Sequence, residues 1–260
     1  MIARGARAAA AAGTITAAVI TAGVITAALV LASCSVIPTA PSALPEEWIP
    51  SISPSAIPSE SAASEFGYTD AQSAAVRVRN VGCEGVSTGS GFILDDHTIV
   101  TNHHVVESTG RLEVTLSDGT DITVTASKYA TNADFGLITT EESLAPAVTL
   151  AETDAETGDW ITVVGYPDGG VLSVSEGAIQ GADFDTLDNA SFVFVTTAYA
   201  APGSSGSAVY DEAGDVIGVL YAGSEETDET LIVPVSLLKE FLTNPAFQVD
   251  NPASCTPAYL

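Results

Sequence analysis

Three short segments of the chain carry side chains that together could hydrolyse an amide bond. Thr101-Asn102-His103-His104-Val105 holds two histidines, Asn132-Ala133-Asp134-Phe135-Gly136-Leu137 holds an aspartate, and Pro202-Gly203-Ser204-Ser205-Gly206-Ser207 holds three serines. A serine attacks a carbonyl when a histidine accepts its proton and a carboxylate fixes the imidazole tautomer. Backbone N–H groups of a glycine loop can stabilise the developing oxyanion. The sequence therefore indicates acyl transfer to a serine hydroxyl.

The three segments resemble those of chymotrypsin-like serine proteases, in which the residues also occur in the order His, Asp, Ser. An α/β-hydrolase would run Ser, Asp, His and carry Gly-x-Ser-x-Gly, whereas Ser207 stands in the last position here. Further segments look like those of bacterial HtrA/Deg-like proteases, namely Gly89-Ser90-Gly91-Phe92, Gly165-Tyr166-Pro167 and Gly218-Val219. The resemblance spans residues 75–240 and implies a serine endopeptidase.

The resemblance also implies a role for each residue of the motifs. The family's catalytic histidine directly precedes Val or Cys, which makes His104 the base. Asp134 would orient His104, and Ser205 would be the nucleophile. The N–H groups of Gly203 and Ser205 would form the oxyanion hole.

The sequence gives less information about substrate specificity than about catalysis. The residue six before the nucleophile lies at the base of the S1 pocket in the family, and here it is Tyr199. The strand after the serine loop contributes Leu220 and Tyr221 and holds no histidine. Preference for Lys/Arg or for Glu is therefore unsupported, and the fold analogy suggests a modest apolar pocket of Tyr199, Leu220 and Tyr221.

Many short β-rich segments divided by Gly, Asp and Asn must position these motifs. About twelve strands, among them Ala75–Val81 and Ser90–Leu94, and one helix at Ser236–Thr243 predict an all-β barrel or sandwich. Ser236 is a plausible N-cap of that helix. The resemblance makes the fold specific: two six-stranded antiparallel β-barrels, chymotrypsin-like, with a C-terminal helix.

The N-terminus predicts export. Arg4 and Arg7 precede an uncharged, largely apolar run, and Leu31-Ala32-Ser33-Cys34 resembles the lipobox of bacterial lipoproteins. We expect residues 1–33 to be a signal peptide and Cys34 to carry lipid; an uncleaved signal anchor is the alternative. Residues 34–67 predict a Pro/Ser/Ala-rich tether, and residues 68–260 the protease domain. Both alternatives place the domain at a membrane, facing outside the cytoplasm.

The chain has three cysteines, an odd number for an exported protein. With Cys34 lipidated, Cys83 and Cys255 remain as a pair, and an oxidising compartment would let them form a disulfide. Two free thiols are the alternative. The Cys and His spacing does not suggest zinc, and we expect no metal and no cofactor.

The charge excludes some partners. The chain has 7 Lys+Arg against 33 Asp+Glu, yet 46% of its residues are hydrophobic. That composition excludes a disordered acidic chain and a nucleic-acid binder. Residues 68–260 hold 5 basic and 29 acidic residues, so 5 − 29 = −24 lies on the domain. Such a surface would repel anionic lipid and acidic substrates, so an anchor has to supply the membrane attachment.

Two other functions fit the same motifs. A binding or sensor module could keep the protease fold without turnover, and an exported esterase could use the same residues. Because the chain ends soon after the predicted helix, we expect no PDZ domain of the kind many HtrA-like proteins carry, and therefore a monomer. The substrate would be a protein or peptide.

Overall fold

The computed structural model describes residues 69–82, 85–184, 192–224 and 229–255, and for residues 222–224 and 229 it describes the backbone alone. The predicted signal peptide 1–33, the tether 34–67, Cys34 and Cys83 lie outside these residues, so those interpretations stay predictions. Within the described ranges, no helix has the length and apolar character needed to cross a membrane.

The described residues form three α-helices and fourteen strands, and the strands fall into two groups. The helices are α1 (Asp70–Ala74), α2 (His103–Val106) and α3 (Val235–Thr243). The first strands are β1 (Ala75–Gly82), β2 (Val86–Asp95), β3 (Thr98–Thr101), β4 (Thr109–Leu116), β5 (Asp121–Ile122), β6 (Val124–Ala130) and β7 (Gly136–Thr140). The others are β8 (Trp160–Gly165), β9 (Ser173–Phe184), β10 (Phe192–Thr196), β11 (Ala208–Tyr210), β12 (Val216–Ser224), β13 (Glu229–Pro234) and β14 (Gln248–Asp250).

The N-terminal half is an eight-stranded antiparallel sheet among the described residues, in the order β14-β6-β7-β3-β2-β1-β4-β5. Its strands alternate as half-buried strands do: on β1, Val76 and Val78 are fully buried while Arg79 is exposed. Ile93, Ile99 and Ile138 join them in the core of this half.

The C-terminal half closes into a six-stranded barrel in the order β10-β13-β12-β11-β8-β9. Ile161, Ile179 and Ile232 fill its inside. A further cluster joins the halves: Phe92 and Phe135 from the first pack with Tyr166 and Tyr221 from the second. The predicted chymotrypsin-like fold is thus confirmed, with two short additions to the first half, β5 and β14.

The C-terminal helix starts one residue earlier than its sequence pattern predicts. Pro234, rather than Ser236, is the N-cap residue of α3, and it makes no side-chain capping bond. The N–H of Ser236 instead donates to Asp154 Oδ1 at 2.8 Å. An acid on a separate loop therefore caps this helix, and a carboxylate at a helix N-terminus is also favoured by the helix dipole.

Candidate active site

His104 and Asp134 form a doubly hydrogen-bonded pair. His104 lies on α2, which follows β3 after one residue, and Asp134 lies just before β7. Asp134 Oδ2 is 2.5 Å from His104 Nδ1, and Asp134 Oδ1 accepts the His104 backbone N–H at 2.9 Å. The carboxylate is 5% exposed, whereas the imidazole is 43% exposed. A carboxylate acceptor at Nδ1 places the neutral ring's proton there, so Nε2 is left to accept one.

Neighbouring side chains hold Asp134 from both sides. The buried Asn102 donates its Nδ2–H to Asp134 O at 2.7 Å. Phe135, the next residue, stacks on Phe241 of α3 with ring centroids 6.0 Å apart. The fully buried Phe135 thus ties the aspartate's backbone to the C-terminal helix.

The other two histidines have different surroundings. His103 stacks on Tyr129 at 4.2 Å between ring centroids, with the rings nearly parallel. His97 Nε2 lies 4.0 Å from Asp96 Oδ2, and both side chains are solvent-exposed. Of the three histidines, His104 is therefore the one paired with a buried carboxylate.

Ser205 lies in a tight backbone turn between two left-handed glycines. Gly203 has φ +91° and Gly206 has φ +90°. The N–H of Ser204 donates to Ala201 O at 2.9 Å, and the N–H of Ser207 donates to Ser204 O at 3.0 Å. The half-buried Ser205 donates its hydroxyl to Tyr221 O at 3.3 Å.

Close backbone packing brings this turn against the histidine segment. A Cβ added to Gly89 would lie 2.6 Å from both methyl carbons of Val105 and 3.2 Å from Ser205 O. A Cβ added to Gly206 would lie 2.5 Å from Thr101 Oγ1. Only glycine fits at these two positions. Gly89 therefore packs closely against both the Ser205 backbone and Val105, the residue that follows His104.

The two N–H groups predicted to form an oxyanion hole are those of Gly203 and Ser205. Within the described ranges, neither Gly203 N–H nor Ser205 N–H donates to a protein acceptor. Both carbonyls, in contrast, accept bonds from Ser90, at 2.8 Å each. The turn therefore has fixed carbonyls and available donors, which suits an anionic oxygen.

The predicted pocket residues do not lie together. Leu220 and Tyr221 are consecutive on β12, where the pairing with β13 shifts register, and their side chains join different clusters. Leu220 is buried inside the second barrel, and Tyr221 is buried in the cluster between the halves. Tyr199 is 70% exposed and lines a shallow depression. Hydroxyl groups share that depression with it, those of Ser173, Ser175, Ser204 and Ser207.

The resolved pKa shifts fall on groups outside the three motifs. Hydrogen bonds from the Thr120 backbone and side chain lower the pKa of Asp118. Bonds from the Thr123 side chain and backbone lower the pKa of Glu142. Burial raises the pKa of Tyr210 well above its ordinary value, so this hydroxyl stays neutral. Within the described ranges, no three His, Cys, Asp or Glu side chains are grouped closely enough to hold a metal ion.

The chain matches a known family and is similar to several proteins of that kind. Residues 89–219 match the family model described as a trypsin-like peptidase domain. A probable periplasmic serine endoprotease, DegP-like, from Chlamydia trachomatis is 35% identical over 135 residues, which are 50% of this chain and 27% of that protein. A protein of the same description from Halomonas elongata is 32% identical over 136 residues, covering 51% and 29%. The chain spans less than a third of the length of these relatives.

Solved structures share the fold. The active form of the Rv3671c protease from M. tuberculosis has a TM-score of 0.62 at 23% identity, covering 72% of this chain and 86% of that one. The HtrA-type protease AlgW with a tripeptide has a TM-score of 0.59 at 25% identity, covering 67% and 62%. The first likeness supports the fold alone. Together with the DegP-like relatives, the second confirms the predicted resemblance to HtrA-type proteases.

Proposed function

Because the chain belongs to the trypsin-like peptidase domain family, we propose that it is an exported serine endopeptidase acting on proteins or peptides. The observation that carries this proposal is the His104–Asp134 pair, in which both carboxylate oxygens bind one histidine residue. The description of relatives as periplasmic endoproteases supports both the activity and the export.

The proposed reaction begins at Ser205. Its hydroxyl leaves the Tyr221 carbonyl and attacks the scissile carbonyl carbon, while His104 Nε2 takes the hydroxyl proton. The negative charge on the carbonyl oxygen is bound by the N–H groups of Gly203 and Ser205. The imidazolium then donates its proton to the leaving nitrogen as the C–N bond breaks. Water, deprotonated by His104, then attacks the acyl carbon, and the ester bond breaks as the Ser205 oxygen takes the proton back from His104, while Asp134 holds the ring throughout.

Substrate binding involves the depression at Tyr199 in this proposal. The exposed tyrosine ring offers an apolar face, and four serines line the same depression. Replacing Tyr199 by Ala should change the residue preferred at the cleavage position in a peptide-library profile. An unchanged profile would place the specificity pocket elsewhere.

Anchoring by the N-terminal segment is a further part of the proposal. Cys34 would carry lipid, and the tether 34–67 would hold the domain away from the membrane. The domain's own charge of −24 disfavours adsorption to anionic lipid. Labelling of cells with a palmitate analogue should mark the wild-type chain and leave Cys34→Ala unmarked. Labelling of neither, with both retained in the membrane, would favour the signal anchor.

A Cys83–Cys255 disulfide is supported by the neighbours of both cysteines. Gly82 on β1 pairs with Thr109 on β4, and the N–H of Ser254 donates to Thr109 O at 2.8 Å. Each cysteine thus directly follows a residue that contacts Thr109, namely Gly82 before Cys83 and Ser254 before Cys255. Mass spectrometry of a non-reduced digest should yield the linked peptides, and two alkylatable thiols would refute the pairing.

Turnover assays test the activity. The purified chain should hydrolyse members of a peptide library and lose that ability in Ser205→Ala. Hydrolysis of esters without peptides would make it an esterase. Binding of peptides with no turnover of either substrate would make it a protease-fold binding module.

A further inference from the structure

One buried serine of the first half contacts the backbone of the proposed oxyanion hole at two points. Ser90 lies on β2 and is 0% exposed. Its hydroxyl donates to Gly203 O at 2.8 Å, and its backbone N–H donates to Ser205 O at 2.8 Å. A single residue from one half of the molecule therefore holds both proposed donor residues of the other half.

The same hydroxyl oxygen also organises the turn that supports Gly203 from the other side. Ser90 Oγ accepts the N–H of Tyr166 at 2.8 Å. The turn that starts at Tyr166 returns a bond to the loop, because the N–H of Asp168 donates to Pro202 O at 2.5 Å. The peptides before and after Gly203 thus both depend on Ser90, one through Tyr166 and one directly.

These two contacts of the Ser90 hydroxyl matter because Gly203 and the turn that supports it have unusual backbone conformations. Gly203 has φ +91°, and a glycine can leave such a conformation at little cost. Asp168 is a non-glycine residue at φ +57°, a conformation that surrounding contacts have to maintain. Without the hydroxyl, the Gly203–Ser204 peptide loses the donor to its carbonyl and keeps the bond from its N–H to Ala201 O.

We propose that Ser90 is the positioning residue of the oxyanion hole: its hydroxyl fixes the peptides on both sides of Gly203 so that the Gly203 and Ser205 N–H groups converge. The role rests on the proposed function, since it assumes that these N–H groups stabilise an oxyanion. Ser90 does not contact substrate in this account. It acts on transition-state stabilisation rather than on substrate binding.

Ser127 serves as a control that distinguishes a positioning role of Ser90 from a general effect on stability. Ser127 is also a buried serine on a strand, and its hydroxyl also both donates and accepts, to Asn251 O at 3.2 Å and from Asn251 Nδ2 at 3.1 Å. These bonds join the strand to the C-terminal tail, and neither of them involves Gly203 or Ser205. Ser127→Ala therefore deletes the same chemical group without touching the loop.

The experiment compares the full wild-type chain, Ser90→Ala and Ser127→Ala, using the best peptide from a library and its peptidyl boronic acid, which binds as a tetrahedral adduct. We expect Ser90→Ala to lower kcat about 100-fold, as a misplaced catalytic group does. KM should be unchanged, and the boronic acid should bind more weakly by a similar factor. Ser127→Ala should lose thermal stability but keep kcat and boronic acid affinity.

Two results would overturn the proposal: wild-type kcat and boronic acid affinity in Ser90→Ala, or equal losses of both in Ser127→Ala. If Ser90→Ala does not fold, Ser90→Cys replaces it. A thiol is a weaker donor than a hydroxyl, so kcat should fall in this variant too, and an unchanged kcat would refute the role. An inactive wild-type chain would refute the proposed function instead, which keeps the two failures distinct.

Discussion

The two halves of the molecule build their parts of the site in different ways. The first half supplies a pair of side chains, His104 and Asp134, held by direct hydrogen bonds and by a buried amide and aromatic ring. The second half supplies Ser205 on a turn whose shape is set by two left-handed glycines. Chemistry in the first half thus depends on side-chain identity, whereas in the second it depends mostly on backbone conformation.

Each half is also fixed by an element of the other. Ser90, from the first half, binds two carbonyls of the serine turn. Phe241, on the helix that follows the second barrel, stacks on Phe135 beside the aspartate. Substitutions can therefore disturb the site in two ways, at its own residues or at the contacts between the two halves. The two kinds of substitution should have different effects on turnover and on stability.

The largest effect should come from the side-chain pair. Asp134→Asn keeps the shape but presents an amide that cannot favour Nδ1–H, so kcat should fall about 10⁴-fold, as it does when this tautomer is lost in related triads. The control is Asp96→Asn, because Asp96 lies beside a histidine in an exposed pair. Kinetics on a peptide substrate should leave Asp96→Asn active. Equal activity of both variants would remove Asp134 from the mechanism.

A substitution at the contact between the two halves should lower the free energy of unfolding. Phe241 is fully buried against Phe135, and Phe241→Ala should reduce the free energy of unfolding by about 3–5 kcal/mol. Phe184 is 75% exposed, so Phe184→Ala should stay within about 0.5 kcal/mol of wild type. Denaturant titrations measure both. A small loss in Phe241→Ala would show that the helix does not support the aspartate segment.

A substitution that changes the backbone conformation of the serine turn should lower kcat. A Cβ at Gly203 would lie 2.7 Å from Gly169 N and 2.9 Å from Tyr166 O, so Gly203→Ala must move the turn. We expect kcat to fall about 10²–10³-fold, the effect of losing one oxyanion donor. Gly214 has a similar φ of +87° but open space around its Cβ position, so Gly214→Ala costs backbone strain alone. Comparable kcat values for the two variants would contradict the backbone account.

The smallest expected effect concerns charge rather than geometry. Each of the five Lys and Arg residues of the domain already contacts a protein partner: Arg77, Arg79, Arg111, Lys128 and Lys239. Among the residues that the structure describes, most carboxylates pair with no Lys or Arg, so the domain should attract cationic polypeptides. A substrate flanked by Lys should have a kcat/KM about tenfold above the same substrate flanked by Glu. The difference should vanish near 1 M salt, where screening acts over about 3 Å, and a salt-independent ratio would contradict steering.

Much of the fold, and the pairing of His104 with Asp134, could be predicted from the sequence. The three motifs carry their own chemistry in residue type and order, and strand alternation is visible around residues such as Val76 and Val78. The predicted strand Ala75–Val81 differs from β1 by one residue. The short strand β14 was beyond prediction, because three residues carry too little pattern and its pairing with β6 is long-range.

The details that fix the site depend on tertiary contacts. The sequence shows Ser90 only as part of a glycine motif, and its two bonds to the distant serine turn appear only in the fold. Leu220 and Tyr221 look like pocket residues on the sequence, yet the fold buries them in two different clusters. Asp154 caps α3 from 82 residues away, which local capping rules cannot foresee.

The most direct test of the account is to identify the residue that a fluorophosphonate probe modifies. The full chain should be labelled, and peptide mapping by mass spectrometry should place the adduct on Ser205. His104→Ala should slow labelling strongly, because the hydroxyl then lacks its base, and Ser205→Ala should abolish it. A wild-type chain that resists the probe across a range of pH, or an adduct on another serine, would contradict the central claim.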